Sequence, residues 1–351
     1  MIPESLFFIV SKYFEVESVH YSGERLSFFG RPIGDPDESF DNIYREIRKF
    51  DFIPAFFKKD GHIELRIVKF SPVKAGNHNV NLILLFLTVI TTVLAGVMLS
   101  GKSPLIIKNW IYGIPYSIAI MTILGAHELG HYFACKKYGV RATLPYFIPV
   151  PTFVGTFGAI IRIKSPIPNR RSLMVIGASG PFIGLFFAIL FTIIGLKLSK
   201  VVPRTGAGLS LGSSLLFSFL SKMVYPDVPE GMTIALNPLA FAGWLGMFVT
   251  AMNLLPVGQL DGGHIAYSLF GEKQRYFSLP VIALLIYFGI KYWVGWFLWA
   301  LLLAFLAGIR HPPTLNDLSK LKPAHRIMGI AGFIVLIVTF IPSPFPGVKL
   351  G

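Results

Sequence analysis

Apolar and polar residues alternate along the first 78 residues, and long uncharged runs take over beyond them. "VESVHYSGERLSFFG" (16–30) and "KDGHIELRIVKF" (59–70) follow a period of two, which predicts strands, with Asp60–Gly61 marking a turn. Between them, "DESFDNIYREIRKFDF" (37–52) places Phe40, Ile43, Ile47 and Phe50 at helical spacing, with Asp37 or Ser39 as the cap. Residues 1–78 therefore read as a small soluble α+β domain. Downstream, Leu82–Leu99, Asn109–Ala126, Ser172–Leu196, Gly231–Leu260, Tyr292–Ile309 and Ile327–Val348 each run 18 residues or more without a charge. About 20 apolar residues cross the hydrocarbon core of a bilayer as a helix.

These runs resolve into expected helices at Leu82–Leu99, from about Trp110 to Tyr138, Ser172–Leu196 and about Thr233–Leu255. Two short helices are expected within 276–309, because Lys291 interrupts that stretch, and a last one at Ile327–Ile341. The total is about seven spans. Residues 205–225 suggest an interfacial helix. One stretch cannot be a continuous helix: "LPYFIPVPTFVGTFGAIIRIKSPIPN" (144–169) carries prolines at 145, 149, 151, 166 and 168. Its middle, 155–165, is strand-like, and non-helical backbone at membrane depth survives only against protein or a wet cavity. The expected architecture is a polytopic α-helical membrane protein with a re-entrant or membrane-edge β-hairpin and the small N-terminal domain, divided at 1–78 and 79–345.

Composition agrees with this class. Of 351 residues, 53% are hydrophobic and 14% charged, where soluble domains carry nearer a quarter charged. The net charge of +14 is uneven, because 1–78 holds 11 Lys/Arg against 12 Asp/Glu, and the remainder 21 against 6. The cations flank apolar runs, so they read as positive-inside loop charge and not as a nucleic-acid surface. Lys136, Lys137, Arg141, Arg162, Lys164, Arg170 and Arg171 all fall between the second and third spans, whereas Lys102 and Lys108 separate the first two. The C-terminal end of the second helix then faces the cytoplasm together with the N-terminal domain, as in a prokaryotic cell membrane. The third span crosses back and the fourth returns to the cytoplasmic side, so Asp261 lies on the side that holds His131. The single cysteine, Cys135, excludes an internal disulfide and reads as packing. "MIPESLFFIVSKYFEV" lacks a basic n-region and a small-residue cleavage site, so no cleavable signal is expected.

The chemistry lies in "TILGAHELGHYFACKKYGV" (122–140). On a helix His127 and His131 are about 40° apart around the axis and about 6 Å along it, so two imidazoles can grip one ion. Glu128 sits beside them, free to take a proton from water next to the metal. Ionisable groups near a bilayer centre cost roughly 2.5–3.5 kcal/mol on insertion scales, so they mark function. Of the six acids beyond residue 78, Glu128 and Asp261 lie within or against the expected spans, while Asp227, Glu230, Glu272 and Asp317 fall in expected loops. The expected ligands of one Zn²⁺ per chain are therefore His127, His131 and Asp261, with His264 near the site. Pro256 ends the preceding helix, while Gly258, Gly262 and Gly263 loosen the backbone about the aspartate. Asn253 and Gln259 supply a polar path for water. The "GASGPFIG" run (177–184) reads as close helix packing.

With "HELGH" at 127–131 and N-x-x-P-x-x-x-L-D-G from Asn253 to Gly262, the chain resembles the site-2 protease family of intramembrane zinc metalloproteases, peptidase M50. "GTFGAIIRIKSPIPNRR", "GASGP" and "NPLAFAGW" support the resemblance, which covers roughly residues 80–320. It implies zinc on His127, His131 and Asp261, Glu128 as base, and hydrolysis within or beside a transmembrane helix of a membrane-protein substrate. No PDZ domain is visible in 139–232, so the likeness is to the PDZ-lacking branch with an N-terminal soluble domain. Asn253 is a candidate oxyanion donor, and Gly155, Thr156, Phe157 and Gly158 could hold substrate by strand addition. A metal transporter would need further polar residues in the other spans, and a di-iron oxidase several His clusters. The remaining histidines (20, 62, 78, 264, 311, 325) are scattered. A catalytically dead scaffold sits poorly with intact motifs. The stretch "GIRHPPTLNDLSKLKP" (308–323) reads as a structured loop without an assigned task.

Overall fold

The computed structural model describes residues 4–22, 25–59, 62–70, 78–204 and 210–347; the Asp60–Gly61 turn and residues 205–209 lie outside them. The N-terminal region is α+β, in the order α1 (Glu4–Ser11), β1 (Phe14–Ser22), β2 (Arg25–Pro32), α2 (Pro36–Ile47), β3 (Phe52–Lys59) and β4 (His62–Lys69). The strands form one antiparallel sheet in the order β1-β2-β4-β3. Alternation sends Leu26, Phe28, Leu65 and Ile67 to one face, where Phe40, Ile43 and Ile47 of α2 cover them. The helix is shorter than its sequence pattern. Asp35, not Asp37 or Ser39, caps it, accepting from the N–H groups of Asp37 and Glu38. Pro36 fills the first helical position, where no amide donor is required. Phe50 falls on a following 3-10 turn and is 45% exposed instead of facing the core.

The rest of the chain is mainly helical. The helices are α3 (His78–Leu99), α4 (Ile114–Lys137), α5 (Arg170–Lys197), α6 (Leu215–Val224), α7 (Pro238–Asn253), α8 (Asp261–Phe270), α9 (Arg275–Lys291), α10 (Gly295–Leu302) and α11 (Pro323–Thr339). Of these, α3 and α5 are long and apolar enough to cross a membrane by length and composition. Their outer faces expose large apolar groups, Leu82 and Phe86 on α3 and Phe186 and Leu190 on α5. The central helix is α5, begun by a reciprocal capping box between Asn169 and Ser172 and packed against α4, α7 and α8. Tyr116, Ile120 and Ile123 of α4 and Trp244, Met247 and Ala251 of α7 fill the main apolar core.

Several boundaries differ from the sequence expectation, each for a local reason. Residues 110–112 form a 3-10 turn, and α4 starts at Ile114 with Pro115 in its first turn. The run expected to be helical from Thr233 begins instead as β8 (Met232–Ala235), paired antiparallel with β7 (Lys200–Pro203); α7 waits for Pro238, capped by Asn237. The proline-rich stretch is the expected strand pair, with β5 (Tyr146–Pro149) antiparallel to β6 (Thr156–Ile160).

The loop at 308–323 fastens the two regions together. The Phe56 N–H of β3 donates to Leu315 O at 2.7 Å, while Leu315 and Asn316 donate to Ile167 O and Pro168 O at 3.0 and 2.8 Å. Leu315 and Leu318 pack on the N-terminal core, and Arg171 pairs with Asp37 at 2.5 Å.

Candidate metal centre

On α4 the histidines stand one turn apart, with both rings turned toward α5. A side chain would not fit opposite them. A Cβ built on Gly180 would lie 2.1 Å from His131 Nε2, and one on Gly184 would lie 3.1 Å from His127 Cβ. On Gly177 it would lie 2.6 Å from His264 Cβ. The three glycines share one stripe of α5, spaced by three and four residues. The "GASGPFIG" run thus provides the recess that receives the histidines, beyond letting helices approach.

His131 Nδ1 donates to the carbonyl of Ile176 at 2.6 Å, which leaves its Nε2 with a lone pair facing the centre. The chain delivers Asp261 from the loop after α7. There Gly258, at a φ of +48°, packs against the carbonyls of Ala307 and Gly308, and Gly262 against that of Leu254. These glycines do the opposite of loosening the backbone, because any Cβ would collide with main chain. Asp261 is the first residue of α8 and makes no capping bond; its carboxylate turns to the histidines.

Three donor atoms converge. His127 Nε2 and His131 Nε2 are 3.1 Å apart, and each is 3.2 Å from an Asp261 carboxylate oxygen. Tetrahedral ligands at about 2.0–2.1 Å from zinc stand about 3.3 Å from one another, so this triangle has the dimensions of a zinc site with its fourth position open. Two neutral imidazoles and a carboxylate are also the donor set that zinc takes in catalytic sites. Among the described residues this is the one His/Cys/Asp/Glu cluster of that kind, and both histidines are buried.

Glu128 lies beside the triangle, with Oε1 4.0 Å from His127 Nε2 and Oε2 accepting the Ile161 N–H at 2.8 Å. Asn253 Nδ2 is 3.3 Å from His127 Nε2. The structure brings His127, Glu128, His131, Asn253 and Asp261 together. Of the four residues singled out at 155–158, the last three of which lie on β6, Phe157 is 76% exposed and Gly158 has open space around it. Thr156 turns inward to Ile148 O, and Gly155, at a φ of +81°, fits against Thr91 and Thr92 of α3. Cys135 is buried among apolar residues. His264 Nδ1 makes its short contact with His311 Nε2, at 2.6 Å.

Sequence reasoning missed Ile161, Ile176 and the recess glycines. The spacing of Gly177, Gly180 and Gly184 carried that signal, whereas the two backbone partners leave no mark on residue type.

A helical chain holding H-E-x-x-H on a buried helix, with a distant aspartate closing the triangle, has the build of a metallopeptidase. It belongs to peptidase family M50, whose family model matches residues 115–293. Among curated proteins it is 30% identical to the probable zinc metalloprotease EGY2, chloroplastic, of Oryza sativa subsp. japonica, over 69% of this chain and 44% of that protein. It is 32% identical to the probable zinc metalloprotease EGY1, chloroplastic, of Arabidopsis thaliana, over 65% of this chain and 43% of that one. The chain spans less than half the length of these relatives. No solved structure matches it significantly.

Proposed function

We propose that the chain is an intramembrane zinc metalloprotease that cleaves peptide bonds within or beside a transmembrane helix of a membrane-protein substrate. The observation that carries this reading is the triangle of His127, His131 and Asp261 with Glu128 next to it, enclosed by helices. Those three side chains would hold one Zn²⁺, which when bound acts as a Lewis acid toward water and the scissile carbonyl.

The remaining steps belong to the chain itself. Glu128 accepts a proton from the attacking water and returns it to the leaving amine. The Ile161 N–H engages one oxygen of that carboxylate, leaving Oε1 toward the open position. Asn253 offers an amide N–H to the developing oxyanion. A helical substrate hides its carbonyls in its own hydrogen bonds and must open locally; the free edge of β6, marked by exposed Phe157, can hold it extended by strand addition.

In this reading α3, α4, α5, α7, α9, α10 and α11 are the seven spans, residues 1–78 the soluble domain and 79–345 the membrane domain. Basic residues between α4 and α5 support an opening of the site, and the N-terminal domain with it, on the cytoplasmic side. The location proposed is a prokaryotic cell membrane, whereas the relatives named above are chloroplastic. The test is cleavage of a labelled single-span substrate in detergent. Wild-type cleavage lost both on chelation and in Glu128→Gln is expected; cleavage surviving in the variant would remove the assigned chemistry from α4.

A further inference from the structure

The stretch at 308–323, without an assigned task in the sequence, runs past both flanks of Asp261. On the near flank the Gln259 N–H donates to Ala307 O at 3.1 Å, and a Cβ on Gly258 would lie 2.1 Å from Gly308 O. The buried side chain of Gln274 closes this flank. Its amide donates to Pro256 O at 3.2 Å, and its carbonyl accepts the His311 N–H at 3.3 Å. On the far flank His264 and Tyr267 of α8 meet His311 and Asp317.

His311 Nδ1–H donates to Pro312 O at 2.5 Å, so its Nε2 keeps a lone pair and accepts from His264 Nδ1–H at 2.6 Å. The Tyr267 hydroxyl donates to Asp317 Oδ2 at 2.5 Å, while Asp317 Oδ1 accepts the Thr314 N–H and hydroxyl at 3.1 and 2.7 Å. Hydrogen bonds to an ionised acceptor are the stronger kind, which makes Asp317 the firmest point of the far flank. That point is itself held, because Leu315 and Asn316 bond to Ile167 O, Pro168 O and the Phe56 N–H.

The helix needs such anchors. At 10 residues α8 is too short to be stable alone, and no side chain caps its start. Its first residue, Asp261, turns its carboxylate to the histidines instead. Tyr267 stands six residues further on, about 9 Å along the axis, so fixing it fixes the direction in which Asp261 projects.

We propose that Tyr267 and Asp317 are positioning residues for the third metal ligand, and that residues 307–317 form the clasp that holds Asp261 against His127 and His131. The inference rests on the metal reading of the triangle but not on proteolytic activity. Partners that orient metal ligands typically set about 10–100-fold in affinity, and this clasp acts in that way through the helix.

The full chain in detergent is titrated with zinc against a chromophoric chelator. Tyr267→Phe removes one hydroxyl, leaves the ring against His311, and should weaken zinc about tenfold. Asp317→Ala should weaken it at least as much, and the two combined no more than Asp317→Ala alone, because they delete the same bond. In an Asp261→Ala background Tyr267→Phe should cause no further loss, since the group it aims is gone. Tyr225→Phe is the control. It deletes a hydroxyl bonded to Leu196 O and Ser199 O at the far end of α5, and should lower the melting temperature while binding zinc like the wild type. Wild-type affinity in both Tyr267→Phe and Asp317→Ala overturns the proposal. Equal weakening by Tyr225→Phe, or the same loss from Tyr267→Phe in the Asp261→Ala background, overturns it too, by reducing the hydroxyl to a general structural bond. Failure of the wild-type chain to bind zinc would refute the metal centre itself, a result separable from loss in the variants alone.

Discussion

Glu128 and Ile161 are joined by a 2.8 Å hydrogen bond from the Ile161 N–H to Oε2. The acid on α4 is thereby fixed to the residue that directly follows β6, 33 positions away. Displacement of that strand alters the aim of the carboxylate, so the strand edge and the candidate base form one mechanical unit.

Glu128→Gln tests the base separately from this unit. The glutamine carbonyl can still accept from Ile161, but the side chain can no longer take a proton. Activity should fall by roughly 10²–10⁴, while zinc content by elemental analysis remains at the wild-type level. Loss of zinc with activity would show that Glu128 also acts as a ligand.

Gly180→Ala probes the recess. The added methyl would sit 2.1 Å from His131 Nε2, so the ring must leave the position it occupies. Zinc stoichiometry should collapse although no ligand has been changed. Gly184→Ala, whose methyl would approach His127 no closer than 3.1 Å, should retain most of its metal. The comparison is read by zinc per chain after dialysis.

Asp261→Asn keeps the shape of the third ligand and removes its charge. Changes outside the ligand set usually cost about 10–100-fold in metal affinity, so loss of a ligand charge should exceed that range in a competitive chelator titration. A wild-type affinity in Asp261→Asn would mean that the aspartate only supports the histidines.

Arg171 and Asp37 join the start of α2 to the start of α5, and Asn316 also reaches Asp37, at 3.4 Å. Both charged side chains are mostly shielded, so Asp37→Ala should cost about 1–2 kcal/mol, more than an exposed pair. A double-mutant cycle with Arg171→Ala measures the coupling by thermal unfolding; no coupling would reduce the pair to a surface ornament.

Burial pushes His311 down to about 4, opposed by its bond to Pro312 O and by nearby Asp317. Its ring also faces His264 and Tyr267. In the unfolded chain it titrates near 6.5 and so binds more protons than the folded form between these values. Stability is complete above about pH 6.5 and declines as pH falls toward 4, by up to about 1.4 kcal/mol per pH unit. His311→Gln should flatten that slope in melts between pH 7 and pH 5, whatever it does to the absolute level.

The sequence revealed those parts of the site in which residue type and spacing carry the chemistry. His127, Glu128 and His131 sit on one helix, and Asp261 stands out because a carboxylate beside an apolar run requires a reason. Backbone relationships were hidden. The Ile161 amide and the Ile176 carbonyl act through main chain that every residue possesses. The start of α7 was misplaced because residues 232–235 are apolar enough for a helix, yet pair with 200–203. Only that long-range pairing decides between the two. Asp35 was legible in principle, as an aspartate before a proline at a helix start, but the apolar spacing begins later and drew the boundary with it.

The seam through residues 56, 168 and 316 also constrains the order of assembly. Phe56 must wait for Leu315, 259 positions later, before its amide finds its partner. At roughly 5–20 residues per second, synthesis keeps that edge of β3 waiting for about 13–50 s. During that interval the N-terminal sheet has an open strand edge on the ribosome, exposed to chaperones and to neighbouring nascent chains. Truncation before residue 315 would make that temporary exposure permanent.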